Sequence, residues 1–192
     1  VFSGDAGVTL DAEARAIKYA ADNGAVILQC SWGYNSSLAS IIEGYTPGPG
    51  SEEEWESLYP LEKEALDYFI NNAGSPNGVI DGGLVIFASG NEYAGMPAFP
   101  GAYSKCVSVS AVAADFTPAS YTDYGKEVTI SAPGGDTEYY NPVGKDDPES
   151  WTDGIYSGSI LSTWIQNGTA AYGFMDGTSM ACPHVSGVAA LG

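Results

Sequence analysis

The chain has 192 residues, 44% hydrophobic and only 16% charged, which is enough apolar material for a sizeable core and excludes disorder as its main state. Six Lys and Arg face 24 Asp and Glu, a formal net charge of -18, so a phosphate backbone would be repelled and nucleic acid is not an expected partner. No run approaches the roughly 18 consecutive apolar residues of a membrane span, and nothing at Val1 reads as a charged leader with an apolar run and a cleavage site.

Val1 and Phe2 read as the tail of a strand. Leu10, Ala14, Ile17 and Ala21 then recur at helical spacing and stop at Asn23-Gly24, which predicts a helix followed by a short buried strand at Val26-Ile27-Leu28. Glu43 to Asp67 carries eight acidic residues and the turn cluster Thr46-Pro47-Gly48-Pro49-Gly50, the composition of a solvated surface insertion, placed near residues 34–57. Leu58, Leu61, Ala65 and Phe69 predict a second helix ending near Gly74, and Leu84 to Ala88 a second buried strand. Two more strands are expected at Cys106 to Val112 and Glu127 to Ser131. Asp136 to Asp153 holds six further acidic residues among Asn141-Pro142 and Asp147-Pro148, a second insertion near 136–156. A small-residue helix starts at about Ser179 and its pattern still runs through Val188 to Leu191. Helices alternating with continuous apolar strands predict an α/β fold with a mostly parallel sheet covered on both faces. The two ends read as cut, so 1–192 is expected to be part of a larger domain, truncated at both ends.

Cys30, Cys106 and Cys182 are too few and too widely spaced for a disulfide framework or a paired zinc motif, and at least one stays free within the chain. The densest chemical signal is Asp176-Gly177-Thr178-Ser179-Met180-Ala181-Cys182-Pro183-His184-Val185-Ser186-Gly187. A Gly-Thr pair turns the chain so that Ser179 opens a helix, where free N–H groups and the positive dipole end favour developing negative charge. Small residues behind it let the helix bury closely and hold the hydroxyl rigidly. Taken alone, a serine there merely caps a buried helix.

The run GTSMACPHVSG closely resembles the serine motif of the subtilisin-like serine proteases, the subtilases, and differs from the lipase-type GxSxG elbow by Ala181. Ser31-Trp32-Gly33, Ala88-Ser89-Gly90-Asn91, Phe99-Pro100, Ala119 to Gly125 and Ala132-Pro133-Gly134 resemble further family segments in the family's order. The resemblance implies a subtilisin-like three-layer fold and a serine endopeptidase. It makes Ser179 the nucleophile and Asn91 the oxyanion donor. Ser31, Trp32, Gly33, Ala88, Ser89 and Gly90 become cleft walls for an extended peptide. It also implies a cis peptide at Phe99-Pro100, which puts Ala98 at the pocket floor with room for a large apolar or aromatic substrate residue, and Glu92 at the rim as an attraction for a basic one.

The triad's Asp and His are not found in order. Asp5 is followed by no histidine motif before Ser31, and the single histidine, His184, lies five residues after Ser179 on the same helix. His184 is expected to point away, and the Asp and His to lie upstream of Val1. The chain by itself is then expected to be inactive and prone to associate with itself or a partner segment. Cys182 reads as a buried inert thiol. The sequence establishes no cofactor; the resemblance implies calcium as a candidate structural ion, which many subtilases use to brace loops, with oxygen ligands abundant in Asp136 to Asp153 but no EF-hand spacing. A secreted or cell-envelope location follows from the resemblance alone. The competing reading is a non-catalytic subtilase-like scaffold or binding module.

Overall fold

A computed structural model describes residues 9–41, 44–74, 78, 80–137 and 158–192. The expectations for Val1-Phe2 and Asp5, and most of the second acidic stretch, lie outside the described residues. Thr9 caps α1 (Leu10–Asp22) by accepting the Ala12 N–H at 3.2 Å, and Asp11 and Glu13 favour its positive end. The helix turns Ala14, Ile17 and Ala21 inward, as their spacing predicts. It leads into β1 (Ile27–Cys30).

The first acidic stretch differs from its expectation. A 3-10 turn spans Ser37–Ile41 and a helix, α2, spans Glu52–Leu58. Ser51 accepts the Glu54 N–H at 3.2 Å, and Glu54 reaches back to the Gly50 N–H at 2.8 Å, a near capping box written in Ser51-Glu52-Glu53-Glu54. Ser36 and Trp55 are fully buried and anchor the stretch in the core, while residues 44–47, 53, 54, 56 and 57 stay exposed. Pro60, with no N–H to lose, opens α3 (Pro60–Asn72).

Strands β2 (Leu84–Ala88), β3 (Val107–Val112) and β4 (Ile130–Pro133) complete a parallel sheet in the order β1-β2-β3-β4. Strand β4 begins three residues later than Glu127 because its ladder starts opposite Val109, at Ile130. Alternation along the strands divides the core. Val85 and Phe87 face α1 and α3; Ile86, Ala88, Val109, Ala111 and Ala132 face α4 (Thr178–Ala189). Helices therefore cover both faces, as expected. Helix α4 ends at Ala189, short of Leu191, which is 91% exposed.

A hairpin of β5 (Ile160–Gln166) and β6 (Thr169–Met175) was not expected. Its turn is Asn167-Gly168, both at positive φ (51° and 78°), a pair suited to the primed turns whose twist matches flanking strands.

Glu62 is 1% exposed and accepts the Trp55 Nε1–H at 2.6 Å and the Tyr34 hydroxyl at 3.3 Å. Its Oε1 and that of Glu13 are buried without a hydrogen-bond partner, and the Glu62 carboxyl acts electrostatically on that of Glu13. Burial first, then Glu62, pushes the Glu13 carboxyl from 4.5 up to about 8. A raised acid binds its proton more tightly folded than unfolded, so its stabilisation is present below about 4.5 and is lost as pH rises to about 8. Each tenfold gain in proton affinity is worth about 1.4 kcal/mol; water on Glu13's open side reduces the full value, leaving a loss on the order of 2 kcal/mol. The melting temperature should fall roughly 4–8 °C over that window. Glu13→Gln should remove this component; an unchanged pH slope in the variant would refute the pairing.

Candidate active site

Thr178 is the first residue of α4, so Ser179 sits in its first turn, where backbone N–H groups lack intrahelical partners. Pro183 lies within this helix and cannot donate to the carbonyl four residues back, which is that of Ser179. The freed carbonyl accepts the Ser31 hydroxyl at 2.8 Å, and Gln29 Nε2 donates to Ser31 Oγ at 2.6 Å. In return the Ser179 hydroxyl donates to the Ser31 carbonyl at 3.4 Å. Helix and strand β1 are thus stitched together at the candidate nucleophile. The Pro183 to Ser179 offset was readable in the sequence, but Gln29 was not singled out there.

Asn91 follows the end of β2 through Gly90, whose φ of 115° suits glycine and whose missing Cβ would collide with the Asp123 carboxylate. Asn91 Oδ1 accepts both the N–H and the hydroxyl of Thr178 at 2.9 Å each, while Thr178 Oγ1 accepts the Gly90 N–H at 3.3 Å. With Oδ1 committed, Nδ2 is the end of the amide left to meet a ligand. Thr178 is fully buried and was missed in the sequence because its only visible role was to precede Ser179.

A cleft of about 120 Å³ is lined by Trp32, Gly33, Ala88, Gly90, Asn91, Ala98 and Ser179, with Tyr34, Asn35, Glu92 and Thr178 completing the wall. Most predicted site residues therefore meet in one cavity. Phe99-Pro100 is cis, as expected, and the Phe99 carbonyl accepts the Tyr34 N–H at 2.8 Å. A Cβ on Gly33 would lie 3.0 Å from that carbonyl oxygen, so glycine lets the two walls close. Ser89 is a correction: it is fully buried, its N–H goes to the Val109 carbonyl and its own carbonyl accepts the Ala98 N–H. It lies behind the wall and offers no free edge.

His184 is exposed and its Nδ1 faces the Met180 carbonyl at 2.8 Å on its own helix. It borders a second depression of about 310 Å³ that Ser179 also lines, beside Ile160 and Leu161 of the hairpin. Among the described residues no titratable base hydrogen-bonds the Ser179 hydroxyl. All three cysteines are buried and free, and burial pushes the Cys182 thiol up. The calcium expectation fell on Asp136 to Asp153, of which only 136 and 137 are described; Asp136 accepts the Ser120 N–H at 2.6 Å. Among the described residues no group of three or more acidic, His or Cys side chains fits a metal ion.

The model of the subtilase family matches residues 1–192, the whole chain. This is a subtilase-family chain. An alkaline protease of Alkalihalobacillus alcalophilus is 31% identical over 188 residues, 96% of this chain and 39% of that protein. A calcium-dependent protease of Nostoc sp. is 31% identical over 198 residues, 93% of this chain and 26% of the relative. A solved protease structure from Pseudoalteromonas arctica superposes with a TM-score of 0.66 at 26% identity, covering 96% of this chain and 46% of the other. The subtilase chain spans less than half the length of each of these relatives. Its sheet order and helical layers are in keeping with that family.

Proposed function

We propose that the protein is a serine endopeptidase whose acyl-enzyme forms on Ser179. The observation that carries this reading is the meeting of Ser179 and Asn91 at one cleft, coupled through Thr178. The Ser179 hydroxyl attacks the scissile carbonyl carbon and gives its proton to a histidine base, oriented by an aspartate; the histidine is assigned upstream because the one histidine here, His184, faces its own helix, and the aspartate with it by the family's order Asp, His, Ser. The carbonyl oxygen takes up the negative charge between the Asn91 Nδ2–H and the Ser179 backbone N–H. The amine leaves with the proton, and water then hydrolyses the ester on Ser179.

The substrate is an extended peptide running along Trp32-Gly33, Ala88 and Gly90, its specificity residue entering above Ala98 with Glu92 at the rim. A large apolar or aromatic residue fits the first feature and a basic one the second. A secreted or cell-envelope location belongs to the same reading, by family. A structural calcium ion accords with the name of the Nostoc relative, although the described residues supply no cluster for it.

A fluorophosphonate probe applied to the intact protein should label Ser179 and fail to label Ser179→Ala. Wild-type protein that stays unlabelled would favour the non-catalytic scaffold instead.

A further inference from the structure

The loop that carries Asn91 is shaped by a segment that no part of the mechanism uses. Asp123 is fully buried. Its Oδ1 accepts the N–H of Glu92 at 3.0 Å and of Ala94 at 2.8 Å, while its own N–H donates to the Gly90 carbonyl at 3.1 Å. Flanking bonds continue the template: Tyr93 N–H to the Tyr121 carbonyl at 2.8 Å, and Tyr124 N–H to the Ala94 carbonyl at 2.9 Å. Asn91 is thus bracketed, with Gly90 held before it and Glu92 and Ala94 after it by one aspartate.

The remaining oxygens add a second observation. Asp123 Oδ2 and Glu92 Oε2 are both buried with no other partner, beneath the space that a Gly90 Cβ would fill. The two oxygens converge on that one point, so two carboxyl oxygens without another partner meet in one buried place, and such a place favours holding a proton. We propose that Asp123 is a positioning residue for Asn91, and that its acid pair with Glu92 ties the oxyanion side of the cleft to pH. This rests on the role given to Asn91 under Proposed function.

Burial chiefly, and then the hydrogen bond to Glu92, raises the Asp123 carboxyl from 3.8 to about 8. Below that point Asp123 holds its proton beside Glu92. Above it two carboxylates face each other in a site with little water, and their repulsion separates the loop from its template. The other titratable groups on the packed segments are Tyr93 on the loop, and Tyr121 and Tyr124 beside Asp123. Tyr121 turns its hydroxyl to the Gly134 and Gly135 carbonyls, on the side of Asp136 and Asp176. On α4 the loop meets the uncharged Thr178, while His184 is occupied with Met180. Lys126, at 90% side-chain exposure, pairs with Glu127, and among the described residues no ion pair reaches Asp123 or Glu92.

The test uses steady-state peptide hydrolysis by the intact protein. Asp123→Ala should lower kcat about 10- to 100-fold at pH 7 with KM within about twofold, the scale of a small displacement of a catalytic group. Asp123→Asn keeps the Oδ1 acceptor and supplies a permanent N–H to Glu92, so it should stay within about threefold of wild type. Wild-type kcat should fall above roughly pH 8, and both Asp123→Asn and Glu92→Gln should abolish that limb. In an Asn91→Ala background, Asp123→Ala should cost little more. Full additivity with Asn91→Ala, an effect confined to KM, or an alkaline limb that survives both amide variants would each overturn the proposal. If Asp123→Ala does not fold, the two amide variants decide. If wild-type protein hydrolyses no peptide, the protease reading fails separately, and amide exchange decides the clamp: protection at Glu92 and Ala94 should drop above about pH 8 in wild type but not in Asp123→Asn. Equal protection in both would refute it.

Discussion

Asn91→Ala in the intact protein is expected to lower kcat about 100- to 1000-fold, the size known for loss of the equivalent donor in subtilisin rather than one derived from this structure. KM should change far less, because the amide meets charge that exists only in the transition state. The structure adds a reason for the asymmetry. Asn91 Oδ1 is already held by two bonds from Thr178, so Nδ2 is fixed before substrate arrives and pays no ordering cost at the moment of reaction. Thr178→Val, which removes the hydroxyl but keeps the backbone N–H, provides the graded control. A parallel rise in KM with unchanged kcat for Asn91→Ala would remove the assigned role.

Trp55→Ala is expected to cost about 3–5 kcal/mol of folding stability, measured by urea unfolding. The ring is fully buried, stacked on Phe99 at 5.4 Å and tilted against Tyr103 at 5.1 Å between centroids. Its loss empties the space behind the Phe99-Pro100 corner and also strips Glu62 of its 2.6 Å hydrogen bond. Trp55→Phe should recover most of the packing and leave roughly 1–3 kcal/mol for the lost bond to the buried carboxyl, which keeps only Tyr34 as donor to that oxygen. A cost below about 1 kcal/mol for Trp55→Ala would show that α2 is a dispensable surface helix, as the acidic composition around it first indicated.

Periodicity and motif carried the helix at Leu10, the strand at Leu84 to Ala88 and the helix at Ser179 almost to the residue, because each has strong local preferences that the fold does not oppose. The same motif pointed to Ser179, and the resemblance to Asn91 and to the cis corner at Phe99-Pro100. Two elements were legible but unread: Ser51 to Glu54 is a helix start, and Asn167-Gly168 between β-branched and aromatic residues is a hairpin turn. Their acidic or irregular surroundings outweighed the local signal.

Other features belong to the tertiary structure alone. Glu13 and Glu62 look like solvated helix charges in the chain, and Glu92 and Asp123 like loop polarity. Only packing brings each pair together with carboxyl oxygens shut away from water, which raises the Glu13 and Asp123 carboxyls. Ser89 shows the converse, a motif residue that packing turns inward. The sequence by itself determined the family, the layers and the candidate nucleophile, since these are written in contiguous residues. The partners of Ser179, Asn91 and the buried acids come from other segments, and a hydrogen bond or a lost hydration shell is a property of position in space rather than of residue type.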